Sequence, residues 1–276
     1  MIKIRETKNG IAVTDFGEIN LDITLDCGQC FRWRQNDIGD WSGTAYERHV
    51  RVKKTADGLL FLNSSVDDVK KIWIPYFDLE RDYFKYLQIL RADKNVGEAI
   101  EKYGTIRILS QEPWETLCSF IISACNNIPR IKMIIEKYCA LLGKELDGGA
   151  FAFPRAADTA VLTPDELAPI GAGFRAPYMI SAARTVEADG GLFDRLKSEG
   201  EREARRELMT FRGVGKKVAE CTMLFSLGYD TVFPTDTHII QAAAELYPDG
   251  YPECFSVFPG LAQQYVFYAH MNKGDK

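Results

Sequence analysis

Residues 208–238 read LMTFRGVGKKVAECTMLFSLGYDTVFPTDTH. The preceding residues 201–211 are polar and helix-prone, with Leu208 and Phe211 able to share one face. Gly213 and Gly215 interrupt that pattern, and glycine permits positive φ and the close approach of another backbone. Residues 218–227 are mostly apolar, and Gly228 is a stop signal. The spacing predicts helix, hairpin and buried helix, the second helix starting near Lys216. A helix start leaves N–H groups unpaired and, with its dipole, attracts phosphate. Contacts of that kind anchor a nucleic acid without reading its sequence. A Gly-x-Gly turn alone describes an ordinary helical hairpin more often than a phosphate site. Lys216 and Lys217, followed by Pro234-Thr-Asp-Thr-His, shift the reading toward nucleic acid.

Lys217 stands at the mouth of a helix whose other residues look buried. The dipole disfavours a cation there, and partial desolvation favours the neutral amine. A neutral amine can attack an electrophilic carbon and form a Schiff base. Most lysines are solvated surface charges, and Lys216 is expected to be one, available to a phosphate. Asp236 follows Lys217 by 19 residues. It precedes the periodic run Ile239, Ile240, Ala243, Ala244, so a helix N-cap is one use for it. A capping carboxylate can still face a cleft and stabilise a developing sugar cation or assist proton transfer. His238 suits either a phosphate contact or a packed surface position.

Outside this stretch, residues 1–64 read as β-rich. Residues 21–25, LDITL, alternate as a strand does. Residues 49–52 and 59–62 flank Asp57 and Gly58, a hairpin signal. From Asp67 onward helices dominate: an amphipathic run over 80–91, a helix over 112–124 with Pro113 at its start, another over 129–142 ending at Gly143, and one over 176–188 ending at Gly190 and Gly191. Thr163 and Glu166 form a capping-box pattern. Residues 144–160 read as a loop. Neither repeats nor low-complexity tails are visible.

The 276 residues carry a formal net charge of −5 and are 46% hydrophobic. That apolar fraction suffices for a sizeable core, and the net charge argues mildly against a DNA partner. Local charge matters more: between Arg202 and Lys217 stand six basic residues and two acidic ones. The seven cysteines are scattered and odd in number, which reads as reduced thiols. Cys27 and Cys30 alone suit half a zinc site, but no second pair completes it; a strand-turn position is expected for both. No apolar run approaches a membrane span, and no secretory segment opens the chain. The expected compartment is the cytoplasm, at the nucleoid in a bacterium or in the nucleus in a eukaryote.

FRGVGKKVAEC (211–221) followed by VFPTDTH (232–238) resembles the helix-hairpin-helix DNA glycosylases, specifically the bifunctional 8-oxoguanine DNA glycosylase/AP lyases. LDCGQCFRW (25–33) resembles the family's S-G-Q-x-F-R-W segment. RILSQEPWETLCSFIISACNNIPR (107–130) resembles its central helix and Asn-rich turn, GFRA (173–176) its G-Y-R-A segment, and GLAQQYVF (260–267) its last helix. The pieces run in family order and span nearly the whole chain.

The resemblance implies an α+β fold: an N-terminal antiparallel β-sheet domain packed on a mostly α-helical helix-hairpin-helix body, divided as 1–105 and 106–276. It implies that Lys217 is the Schiff-base lysine and Asp236 the catalytic aspartate. Gly28 matches the glycine whose carbonyl accepts the N7–H that 8-oxoguanine has and guanine lacks. Phe267 and Cys221 match the groups that sandwich the extruded base, and Gln263 the reader of its Watson–Crick edge. By their neighbours alone, Phe267 and Cys221 would pass for core positions, Gln263 for surface and Gly28 for a turn glycine. Asn127, Arg130 and Arg175 match residues facing the orphaned partner base, Phe174 the aromatic wedge, and His238 a histidine near the flanking phosphate. Gly213, Gly215 and Lys216 would hold DNA backbone.

Two departures bear on the opposite base rather than on the chemistry. Cys125 stands where the family often has the first of three asparagines, and Pro177 where it often has a basic residue. The implied partner is damaged double-stranded DNA, bound by a monomer with no membrane and no metal. A monovalent cation at the hairpin stays open. Only Cys254 lies beyond Cys221, so the iron–sulfur cluster of the related endonuclease III glycosylases cannot form. The rival expectations are a glycosylase for another lesion, such as alkylated bases, and a non-catalytic module that grips DNA backbone.

Overall fold

Alternation along the first sixty residues builds one face of a sheet. In the computed structural model, which describes residues 1–273, six strands pair antiparallel in the order β1-β2-β6-β5-β4-β3. They are β1 (Lys3–Thr7), β2 (Gly10–Thr14), β3 (Trp33–Gln35), β4 (Trp41–Ala45), β5 (Arg48–Thr55) and β6 (Gly58–Phe61). On β5, Val50 and Val52 are buried while Arg51 and Lys53 face out. Val52 lies opposite Phe61 on one side and Trp41 on the other, so the three share the inner face. The Asp57 and Gly58 turn joins β5 to β6 as the sequence implies. The inner face packs on Trp73, Tyr76 and Phe77, with Trp33 edge-on to Trp73 and donating its indole N–H to the Tyr76 hydroxyl at 2.8 Å. Burying each of these side chains contributes about 1.5–3 kcal/mol.

Residues 21–25 are not a strand. They lie in the helix Leu21–Asp26, capped by Asn20, whose side chain accepts from the Ile23 N–H. Leu21, Thr24 and Leu25 are its buried residues, a spacing of three and four that suits a helix as well as alternation suits a strand. A five-residue window cannot separate the two periods, and the Asn cap decides. Cys27 is the C-cap of this helix rather than a strand residue, and Cys30 follows in the turn after it.

The second core is helical. Around the helix Pro113–Ser123, whose residues Pro113 to Ile122 are all buried, pack Tyr83–Leu90, Lys94–Tyr103, Ile128–Leu142, Ala176–Ala188, Glu201–Leu208, Thr237–Leu246 and Pro259–Met271. Glu112 caps the central helix, accepting from the N–H groups of Trp114 and Glu115. The Thr163 and Glu166 pattern forms half a box: Glu166 accepts from the Thr163 N–H and hydroxyl, but only a 3-10 turn, Ala168–Ile170, follows. The expected loop over 144–160 contains a bridge between Glu145 and Phe151 and the short helix Ala156–Ala160. The last three residues of the expected 106–276 span lie outside the described residues.

Buried polar side chains stitch the two cores. Arg107, 1% exposed, donates to the carbonyls of Phe16, Glu18 and Asp78. Gln29 donates to the Thr24 and Arg107 carbonyls and accepts from the Leu109 N–H. Removing either would leave several buried carbonyls unpaired, at about 1–3 kcal/mol for each group. Among the described residues no helix is long and apolar enough to cross a membrane.

Candidate active site

The hairpin follows the helix Glu201–Leu208 and opens the helix Lys216–Thr222, which runs on as a π-helical turn, Met223–Leu227, to Gly228 at φ +82°. Phe211 and Val214 are buried beneath the turn, while Gly213, Gly215 and Lys216 are exposed. Gly213 has φ +82°, and a Cβ there would meet the Tyr178 ring at 2.3 Å, so both backbone and packing demand glycine. Gly215 is the N-cap, and no side chain satisfies the first N–H groups of the helix. Lys216 stays at the surface, 3.9 Å from Glu220. Glu220 is buried, also paired with Arg205 at 3.0 Å; burial pushes its carboxyl up, opposed by Lys216 and Arg205.

Lys217 turns the other way. It is half-buried, and its Nζ donates to Ser123 Oγ at 3.2 Å and lies 4.7 Å from the centre of the Phe120 ring. Ser123 in turn donates to the Phe120 carbonyl at 2.7 Å, which leaves its lone pair aimed at the amine. One turn along, Cys221 is 3% exposed; burial pushes its thiol up to about 11, against the opposing pull of the Lys217 charge. Asp236 is the N-cap of Thr237–Leu246, its Oδ1 accepting from the Ile239 N–H at 2.9 Å. It is half-buried. The capping role and the cleft-facing role therefore coexist in one side chain.

One cavity gathers these groups. Its wall contains Gly28, Lys217, Cys221, Asp236, Gln263 and Phe267, together with Cys27, Phe120, Phe225, Pro234 and Gln264. Gly28 has φ +82° and a Cβ position 3.5 Å from the Phe267 ring. Gln263 is 4% exposed, not the surface residue its type suggests. The cavity measures only about 40 Å³, room for a water or so and not for a purine. A larger groove, about 730 Å³, lies against the outer face of Ala176–Ala188 and contains none of these residues.

The remaining candidates surround this wall. His238 is exposed and edge-on to Phe267, with centroids 6.0 Å apart. Asn127 caps Ile128–Leu142 by accepting from the Arg130 N–H at 3.0 Å, and the Arg130 side chain is exposed. Phe174 is 56% exposed. Arg175 departs from the solvated charge its position suggests. It is 4% exposed and donates to the carbonyls of Ala124 (2.8 Å), Cys125 (3.0 Å) and Ala172 (3.2 Å). Cys125, held by that contact, is exposed with φ +51°. The sulfurs of Cys27 and Cys30 serve different partners, Gln264 and the Leu25 carbonyl. Sequence alone points to neither Phe120, Phe225, Cys27 and Gln264 in the wall nor Ser123 against the lysine. Ser123 is 94 residues from Lys217, and no local pattern announces such a contact.

The family described as 8-oxoguanine DNA glycosylase, N-terminal domain, matches residues 12–117. An N-glycosylase/DNA lyase of Saccharomyces cerevisiae is 38% identical over 268 residues, covering 87% of this chain and 71% of the yeast protein. The structure of MBOgg1 in complex with a low-affinity DNA ligand superposes with TM-score 0.93 at 36% identity, covering 100% of both chains. The Clostridium acetobutylicum 8-oxoguanine glycosylase/lyase, bound to double-stranded DNA with cytosine opposite 8-oxoguanine, gives TM-score 0.90 at 36% identity over 99% of this chain and 98% of that one.

Proposed function

The chain belongs to the 8-oxoguanine DNA glycosylases, and from that premise we propose how its own residues carry the reaction. It is a bifunctional enzyme: it removes 8-oxoguanine from DNA and cleaves the strand at the abasic site. The hairpin N–H groups at Gly213 and Gly215 and the Lys216 ammonium hold the phosphate backbone. The damaged nucleotide leaves the stack at a cost of roughly a few kcal/mol, less than for an intact base. Phe174 fills beside the vacated stack. Asn127 and Arg130 face the partner base, Arg175 acts on it through the turn it holds from beneath, and His238 meets a flanking phosphate.

Lys217 Nζ attacks C1′ through its lone pair. A C–N bond forms, the glycosidic bond breaks, and the proton lost by the amine balances the one gained by the departing base. Sugar-ring opening gives the imine, and loss of a C2′ proton expels the 3′ phosphate by β-elimination. Asp236, held rigid by its cap, supports the cationic sugar. Gly28 and Gln263 read the base between Cys221 and Phe267. The amine and carboxylate suffice for these steps without a cofactor, and one chain acts per lesion. Admission of a purine requires the small cavity to open, and Phe267, half-buried beside exposed His238, is an aromatic ring in that wall.

One observation carries this reading: the amine, the carboxylate and the base-reading groups, scattered from residue 28 to 267, line a single cavity. The test is release of free base from an 8-oxoguanine duplex, with strand cleavage followed in parallel. Release with a β-elimination end is expected. Tight binding without release would leave only a backbone-gripping module.

A further inference from the structure

A buried relay joins the residues beside the two expected base readers, Gly28 and Gln263. Cys27 Sγ has two acceptors in reach, the Thr24 carbonyl at 3.7 Å and Gln264 Oε1 at 3.2 Å, and the nearer takes its proton; Gln264 Nε2 donates to Gln263 Oε1 at 2.7 Å. Gln29 Nε2, anchored on the Thr24 and Arg107 carbonyls, approaches the Cys27 sulfur at 3.4 Å. Cys27, Gln29, Gln263 and Gln264 are 1%, 0%, 4% and 3% exposed, so water does not compete for these bonds.

The relay has a direction. Two adjacent amides agree only when the NH₂ of one faces the oxygen of the other. Gln264 is held at its oxygen by the thiol, so its NH₂ faces Gln263, and the Gln263 oxygen must turn toward it. Burial pushes the Cys27 thiol up to about 12, so the sulfur keeps its proton and stays a donor at neutral pH. The reversed arrangement would press an NH₂ against a weakly accepting sulfur that Gln29 already approaches. The Gln263 nitrogen has no hydrogen-bond partner among the described residues, and its residue lines the cavity.

We propose that Cys27 and Gln264 are positioning residues that lock the Gln263 amide in one of its two orientations and so select a guanine-type edge. Guanine presents the O6 acceptor beside the N1–H donor; adenine presents the N6 donor beside the N1 acceptor. The two edges therefore call for opposite amides, and a free amide could serve both. A locked amide leaves unpaired groups against the wrong edge, which is how a buried polar site discriminates. The proposal deepens the functional reading and rests on it.

The experiment compares 8-oxoguanine with 8-oxoadenine in matched duplexes, both of which carry the N7–H, and includes a preformed abasic duplex that carries no base. Gln264→Leu and Cys27→Ala should lower kcat/KM for 8-oxoguanine about tenfold, the worth of one or two such bonds. They should narrow its preference over 8-oxoadenine, with abasic cleavage falling much less. Cys27→Ser, which keeps a donor, should restore both rate and preference. An unchanged preference would overturn the proposal, as would equal losses on all three duplexes, the mark of structural damage. If the wild-type protein cleaves the abasic duplex but releases no 8-oxoguanine, the functional reading itself fails and takes the proposal with it.

Discussion

Two turns lead into helices, Lys216–Thr222 and Ile128–Leu142, and they solve the same problem in opposite ways. At residues 211–216 the backbone is shaped by glycine, and no side chain caps the helix that follows. At residues 124–128 Asn127 caps its own helix, and Arg175 grips the turn from beneath through the Ala124 and Cys125 carbonyls. The first turn leaves the N–H groups of its helix uncapped, which suits phosphate contacts that ignore sequence. The second satisfies its backbone internally and projects side chains, which suits the reading of a partner base. Substitutions in the two turns should therefore fail differently.

The largest effect is expected at Gly213. Replacement by alanine meets both positive φ and the Tyr178 ring, at a cost of about 2–4 kcal/mol, and should weaken binding to all duplexes alike. Thermal midpoint and Kd on damaged and intact DNA check it. Sequence-selective weakening would break the contrast. Next is Arg175→Ala, which strips partners from three carbonyls and should destabilise by about 1–3 kcal/mol, most of the functional loss appearing as a changed opposite-base preference.

Smaller still are two surface changes that sharpen the comparison as a pair. Lys216→Ala should reduce the salt dependence of binding by about one ion and affect every sequence equally. Arg130→Ala should leave stability unchanged and alter discrimination between opposite bases, measured across a panel of all four. The smallest effect is Cys125→Asn. Asparagine tolerates the left-handed backbone that Cys125 adopts at φ +51°, so the thermal midpoint should rise slightly, with about 0.5 kcal/mol of added stability.

The hairpin was legible because its signals are local: glycines at the turn, a polar helix before and an apolar one after. The sheet was legible for the same reason at Asp57 and Gly58. Residues 21–25 misled because five residues fit either period. What sequence could not supply was long-range pairing. Ser123 beneath Lys217, and the Ala124 and Cys125 carbonyls around Arg175, bring together residues far apart in the chain, and backbone carbonyls carry no sequence signature. Gln264 carries no signal of its own beside Gln263: both are glutamines on one buried helix, and only their contacts tell them apart.

The central claim is that Lys217 supplies the nucleophile, and borohydride trapping on an 8-oxoguanine duplex tests it most directly. The account predicts a covalent protein–DNA band with the wild-type chain that maps to Lys217 and is lost in Lys217→Gln, with excision falling roughly 10³-fold or more. A band of undiminished strength in Lys217→Gln, or none with the wild-type chain while base is still released, would contradict it.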